Sequence, residues 1–319
     1  MNNFNMKKRK FLIIVDASYF QYFCIFGSVN EFEKRYPELA TEWIKPPAEC
    51  DQDNLPDLLN CAEYRKVLRS YVMNKLQSLE DIAQSNFSDE IDSCEQVDII
   101  FACDDKLKKN FRLDLYPQYK ANRLVVKRSY HVDTIKDYIK NVLYKELQLE
   151  ENYGYKFITV DGAEGDDVIA TFMKHFAKDY VGSILIASDR DFLQLDNVRE
   201  FDLYGKEAER KLGDEIVSAE DFLLGKILMG DKSDNISQVF LRCGPKTALS
   251  LVKNKDELNK RLIESATATE KYNLNKKIIA FSETPSELTD KIKRVISETL
   301  YSEDVINPAS NLKTFMMGL

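Results

Sequence analysis

A chain of 319 residues with 44% hydrophobic and 31% charged side chains is long enough for one large or two modest domains and has an ordinary globular composition. No apolar run approaches the roughly 18 residues of a membrane span, and Asp16 cuts short the stretch Phe11–Val15, so neither a membrane segment nor a signal peptide is expected. Two histidines and six scattered cysteines without a Cys-x-x-Cys pair argue against a zinc site and a histidine base, and fit reduced thiols in a cytoplasm.

In chain order, Phe11-Leu-Ile-Ile-Val15 reads as a buried strand and Tyr19–Phe26 as the start of a helix. Residues 28–60, with Pro37, Pro46, Pro47 and Pro56, read as an elaborated connection. Helical spacing from Tyr64 to Ala83 is followed by a second strand at Val97–Ala102 and a third at Phe157–Val160. Glu164–Lys178 reads as a helix with Val168, Ile169, Phe172, Met173 and Phe176 on one face. Strands at Ile184–Ala187 and Glu200–Tyr204 complete an α/β pattern with a mostly parallel central sheet. From about residue 215 the spacing is helical, opening with Ser218 as an N-cap, so the boundaries expected are 1–215 for an α/β domain and 216–319 for a helical one. Ile278, Ile279, Phe281, Ile292 and Val295 are its later core candidates.

The net charge of −8 argues against a nucleic-acid partner only as an average. Between Lys106 and Arg128 stand eight Lys or Arg against one acid, Asp114. The acids are also placed unevenly. Asp16 ends the first strand, Asp104 follows the second, Glu164, Asp166 and Asp167 open the long helix, Asp189 and Asp191 follow the fourth strand, and Asp231 and Asp234 lie in Gly-Asp-Lys-Ser-Asp-Asn. Ligands of open parallel sheets gather beyond the carboxyl ends of the strands, so these nine carboxylates are expected on one rim. Such crowding needs compensating cations, and donors that are all oxygen select Mg²⁺ or Mn²⁺. Singly, each group has an ordinary reading: Asp161 with Glu164 as a capping box, Asp189-Arg190-Asp191 as a solvated turn, Asp231 and Asp234 as surface acids. Four such coincidences together are a poorer account than one site.

Five segments in order carry a family resemblance: Ile14-Val-Asp16; Phe111-Arg112 through Tyr119-Lys120-Ala-Asn-Arg123; Glu164-Gly-Asp166-Asp167; Ser188-Asp189-Arg-Asp191-Phe-Leu-Gln194; and Lys226-Ile-Leu-Met-Gly230-Asp231-Lys-Ser-Asp234-Asn235, followed by Gly244-Pro-Lys246-Thr-Ala248. Over about residues 11–255 the chain resembles the 5′-nuclease or flap endonuclease superfamily, in particular its phage-encoded ribonuclease H branch. The resemblance implies a PIN-like α/β fold, a helical arch over about residues 112–141 and a C-terminal DNA-binding domain with a helix-hairpin-helix. It implies two Mg²⁺ ions, replaceable by Mn²⁺, that clamp the scissile phosphate. Asp16, Asp104, Glu164 and Asp166 would surround the first, with Asp167 close by; Asp189 would stand between; Asp191, Asp231 and Asp234 would hold the second. Lys120 and Arg123 would act on the phosphate at the scissile bond. Arg112, Tyr119, Lys127, Arg128, Gly244, Lys246 and Thr247 would contact nucleic acid, with Tyr116, Tyr119 or Tyr130 available to stack a base. The implied activity is 5′-to-3′ exonuclease and flap cleavage of DNA or RNA–DNA hybrids, with primer removal in phage replication as its role, in a monomer in the host cytoplasm beside a sliding clamp and a single-stranded DNA-binding protein.

Two departures from the family pattern stand out. Arg242-Cys243-Gly244 lacks the first glycine of the usual Gly-x-Gly, and Gly165 stands where Ala is usual, lowering helix propensity. The tail Leu312–Met317 reads either as a packing segment or as a docking segment for a replication partner. Other classes are a structure-specific DNA-binding relative with impaired catalysis, a nuclease directed at RNA, and a carboxylate-metal phosphatase, although the haloacid type wants an acid where Ser18 stands.

Overall fold

The computed structural model describes residues 9–44, 51, 54–105, 110–125 and 129–301. Five strands, β1 (Lys10–Asp16), β2 (Gln96–Cys103), β3 (Lys156–Thr159), β4 (Gly182–Ile186) and β5 (Glu200–Phe201), form a parallel sheet in the order β3-β2-β1-β4-β5. The longer helices are α1 (Ala17–Arg35), α2 (Ala62–Asn86), α3 (Gly165–His175), α4 (Ala219–Met229), α5 (Pro245–Lys253), α6 (Lys255–Ile263), α7 (Ala266–Ile279) and α8 (Ser286–Tyr301).

Alternate residues of a strand face opposite sides, which explains why β1 is apolar without interruption. Phe11, Ile13 and Val15 pack under α1 and α2, while Leu12 and Ile14 pack under α3 and α8. Burial on both faces is the condition of an all-parallel sheet. The connection expected over 28–60 is partly helical: α1 runs on to Arg35, and a short helix at Pro37–Trp43 follows. A two-stranded hairpin, Lys211–Leu212 with Glu215–Ile216, separates the sheet from the later helices.

The expected boundary at 215 needs one correction. Ile292 and Ile296 of α8 are fully buried against the α3 face of the sheet. Their four-residue spacing makes one apolar stripe, and the stripe covers a face that α3 alone leaves open. Residues 286–301 therefore complete the α/β layer, and α4 to α7 carry the separate helical core around Leu228, Cys243, Ala248 and Leu251.

Register sets the site. Asp16 pairs with Ala102 and Val15 with Ile186, so Asp104 and Asp189 lie two and three residues beyond strand positions level with the end of β1. All three leave the sheet at its carboxyl edge.

Candidate metal centre

Asp16 serves both as the end of β1 and as the N-cap of α1. Its Oδ1 accepts from the Ser18 N–H at 2.9 Å and the Tyr19 N–H at 3.1 Å. Burial, with Asp104 and Asp189 adding like charge, pushes its carboxyl up to about 6. Asp166, in the first turn of α3, is raised well above the usual carboxylate range by burial and then by Asp16 and Asp189. Asp16, Asp166 and Asp189 are thus near enough for Asp189 to repel both of the others.

Asp104 joins them; its neighbour Asp105 accepts from Gly162 N–H at 3.0 Å instead. Asp104 Oδ1 accepts from Gly165 N–H at 2.9 Å and Oδ2 from Ser18 Oγ at 2.6 Å. Although burial opposes it, these bonds and Lys136 hold Asp104 below its ordinary value. The departure at Gly165 now has a cause. A Cβ there would lie 3.2 Å from the Ala102 carbonyl and 3.3 Å from Asp104 Oδ1, so a larger residue would crowd the approach of α3 to Asp104.

The remaining acids are neutralised by protein cations. Glu164 Oε1 lies 2.5 Å from Lys120 Nζ, and Oε2 accepts from Tyr119 OH at 3.0 Å. Lys120 and Arg112 outweigh burial and lower its pKa. Asp234 meets Arg123 Nη2 at 2.5 Å and Tyr119 OH at 3.2 Å. Lys226 Nζ bridges Asp191 Oδ1 at 2.5 Å and Asp231 Oδ2 at 2.8 Å. Among the described residues no three carboxylates stand at ready-made coordination distance around one point.

Two sequence motifs interlock over this rim. Lys120 N–H donates to the Asp234 carbonyl at 3.0 Å, Tyr116 OH to the Asn235 carbonyl at 3.1 Å, and Asn235 Nδ2 to the Gln118 carbonyl at 2.9 Å. Tyr-Lys-Ala-Asn-Arg is thereby docked on Gly-Asp-Lys-Ser-Asp-Asn, with Lys120 in a left-handed conformation, φ 57°. Where an arch was expected over 112–141, the described residues show a helical turn at Phe111–Leu115, a 3-10 segment at Ala121–Val125, and the helix Val132–Tyr138 continued by a π-turn at Ile139–Leu143.

Three of the expected site residues have protein partners here. Arg112, read as a nucleic-acid contact, is buried and donates twice to Asp167, at 3.0 and 2.8 Å, and to the Ile278 carbonyl at 2.9 Å. Asp167, read as lying close to the metal, is committed to that pair and to the Glu164 N–H in a capping box; Asp161 pairs with Lys291 instead. Tyr119, read as a base contact, is 6% exposed and holds Glu164 and Asp234. Tyr130 is buried as well. In each case tertiary packing takes up a polar group that a local reading leaves at the surface. Lys127 and Arg128 lie outside the described residues.

The residues expected to contact nucleic acid in the second domain sit at the end of the loop between α4 and α5 and in the first turn of α5. Arg242 takes the left-handed backbone, φ 58°, that the missing glycine would favour, while Gly244 has φ −83° and open space at its Cβ position. Lys246 is exposed, 3.9 Å from Asp214, and Thr247 is half-buried. Residues missed from the sequence are Lys226, which stands inside the Lys-Ile-Leu-Met-Gly-Asp segment without a visible role, and Glu200. Glu200 Oε1 accepts from the Asp189 N–H at 2.9 Å while Oε2 has no hydrogen-bond partner, and burial pushes the carboxyl up to about 8. An acid inside a short, otherwise apolar strand was its only signal.

A parallel sheet rimmed by buried, mutually repelling carboxylates defines a class: an α/β domain with an oxygen-only site suited to hard cations. The comparisons are narrower: residues 82–220 match the family described as the 5′-3′ exonuclease N-terminal, resolvase-like domain. It is 28% identical over 190 residues to a 5′-3′ exonuclease of Buchnera aphidicola subsp. Schizaphis graminum, covering 57% of this chain and 59% of that one. It is 32% identical over 148 residues to ribonuclease H of Enterobacteria phage T4, covering 45% and 47%. The chain thus spans about half the length of these curated relatives. Among solved structures, the T5 D15 protein co-crystallised with metal ions superimposes with a TM-score of 0.59 at 19% identity, covering 92% of this chain and all of that one. The T5 D15 flap endonuclease in a pseudo-enzyme-product complex with DNA and metal ions superimposes at 0.57. These likenesses show the fold: a mostly parallel central sheet with flanking helices, similar to that of the T5 protein. No helix among the described residues is long and apolar enough to cross a membrane.

Proposed function

We propose that this chain is a divalent-metal-dependent, structure-specific 5′-nuclease that hydrolyses phosphodiester bonds of DNA or RNA–DNA hybrids near 5′ ends, as a 5′-to-3′ exonuclease and flap endonuclease. The observation that carries the reading is the repulsive group Asp16, Asp166 and Asp189 lying beneath a docked segment that presents Lys120 and Arg123. Cation-seeking oxygens and phosphate-seeking nitrogens are the two halves of a phosphodiesterase site. Asp16, Asp104, Asp166 and Asp189 would hold Mg²⁺ or Mn²⁺, which when bound supplies charge neutralisation and water activation at the phosphate. Glu164 would hold Lys120 in reach of the scissile phosphate, and Asp234 would do the same for Arg123. The two-ion reading assigns Asp191, Asp231 and Asp234 to a second ion.

Gly244, Lys246 and Thr247 are proposed to grip duplex phosphates, and Lys127 and Arg128 to meet the single strand. In this reading the protein is a monomer of the host cytoplasm that removes RNA primers in phage replication. The segment proposed to meet a clamp or a single-stranded DNA-binding protein, Leu312–Met317, lies outside the described residues. The test is a Mg²⁺-dependent cleavage series on 5′-flap, nicked, duplex and RNA-primed substrates. Cleavage near 5′ ends that stops with chelator is expected. Binding without cleavage of any substrate would favour the impaired relative, and release of phosphate from monoesters alone would favour the phosphatase.

A further inference from the structure

The nine carboxylates divide by what neutralises them. In the first group Asp16 accepts from the Ser18 and Tyr19 N–H groups, at 2.9 and 3.1 Å, and Asp104 from the Gly165 N–H at 2.9 Å and Ser18 Oγ at 2.6 Å. The other group is already served. Lys226 Nζ sits between Asp191 and Asp231, with side chains only 15%, 20% and 17% exposed. Asp231 Oδ1 also accepts from Ser233 N–H at 2.8 Å and Ser233 Oγ at 2.6 Å. Asp234, the remaining acid of that group, is taken by Arg123 and Tyr119.

We infer that Lys226 is the resident cation of the second carboxylate group, and that it sets the metal stoichiometry of the enzyme: one divalent ion binds tightly, at the first group, and a second enters only by displacing the ammonium. The charges decide this. Asp191 and Asp231 carry −2 and Lys226 returns +1. A divalent ion between the two acids neutralises both by itself, which leaves them no charge for the ammonium to balance. Mg²⁺ needs oxygens at about 2.0–2.1 Å, and the ammonium at 2.5 and 2.8 Å already fills the space between the two acids. Nor can Lys226 swing far. It is rooted on α4 between packed residues, with Gly225 against Leu212 and Ile227 buried.

The inference rests on the metal-dependent reading above, and the test separates the two. The full chain, stripped of metal, is titrated with Mn²⁺ without DNA, counting sites by calorimetry and by the free-ion electron paramagnetic resonance signal. The wild type should show one tight site, with any second at least about 30-fold weaker. Lys226→Met should raise the affinity of the second site by about 10-fold or more, and Lys226→Arg should keep the wild-type count. Two sites of equal affinity in the wild type would overturn the role of Lys226 while leaving the nuclease reading intact, and this measurement needs no variant to fold. An unchanged second site in a folded Lys226→Met would overturn it too. No divalent binding at all would remove both readings.

Discussion

Arg112 and Asp167 form a buried, two-pronged ion pair, Nη1 to Oδ2 at 3.0 Å and Nη2 to Oδ1 at 2.8 Å, with side chains 3% and 0% exposed. The guanidinium also ties the start of the docked segment to the Ile278 carbonyl in α7, so one side chain joins the basic segment, α3 and the helical domain. Removing one partner leaves the other charged and dry. Arg112→Ala should lower stability by about 3–5 kcal/mol, measured by urea unfolding, with little change in DNA affinity per folded molecule. A small stability loss combined with a large affinity loss would restore Arg112 to the nucleic-acid interface.

Asp189 is the acid that raises both Asp16 and Asp166. Asp189→Asn should remove a cation ligand and relieve that repulsion. Cleavage should fall to background while DNA binding persists. The metal-free variant should also be more stable than wild type by about 1 kcal/mol. Full Mg²⁺-supported activity in the variant would sink the assignment.

The same repulsion gives stability a pH dependence. Burial is the main cause that pushes Asp16 and Asp191 up to about 6 and Glu200 up to about 8, from ordinary values of 3.8 and 4.5. Between those limits the folded chain keeps protons that the unfolded chain has lost. Metal-free stability is therefore raised on the acid side and falls as pH climbs from about 4 to 8. Glu164, Asp104 and Asp231 act oppositely, but their depressed values put that loss below about pH 4. Unfolding in chelator at pH 5 and pH 8 checks the sign, and a rise toward pH 8 would contradict it. Saturating Mg²⁺ should flatten the decline, because the ion binds the deprotonated acids.

How much of this was legible in the sequence follows from the physics of each element. The runs Phe11–Val15 and Ile99–Ala102 announce themselves because a strand buried on both faces is apolar without interruption. Asp16 and Asp104 follow from those runs, and Asp189 from Ile184–Ala187, since strand ends place them. Arg112 is misread from sequence because the cations around it are spread along an apparently solvated segment, and nothing local marks the one that meets Asp167. Lys226 stands in view without a role, because its partner Asp191 comes from another element. The return of α8 to the sheet is illegible for a similar reason: Ile292 and Ile296 show a stripe but not the face it covers.

Lys120 does two things at once. It neutralises Glu164 at 2.5 Å and is held above the site by a bond from its own N–H to the Asp234 carbonyl. Lys120→Ala should remove a donor aimed at developing phosphate charge, slowing single-turnover cleavage about 100-fold, while duplex affinity changes much less. An unchanged rate at saturating enzyme would deny it a part in the chemical step.

Arg242, not Gly244, carries the left-handed backbone that a glycine favours. Arg242 holds φ 58°, a conformation that costs an L-residue about 1 kcal/mol, whereas Gly244 has an ordinary φ of −83° and nothing within 4 Å of where a Cβ would stand. Arg242→Gly should therefore leave stability unchanged or raise it by up to about 1 kcal/mol, the relief of strain being partly offset by the freer unfolded chain. Gly244→Ala should be close to neutral in urea unfolding. Its effect on duplex binding is then a clean reading of backbone approach. A phosphate lying against the loop would meet the added methyl, lowering affinity with stability intact. Equal affinity in a folded Gly244→Ala would show that the duplex is gripped without close contact at this glycine, leaving the exposed ammonium of Lys246 to do it from a distance.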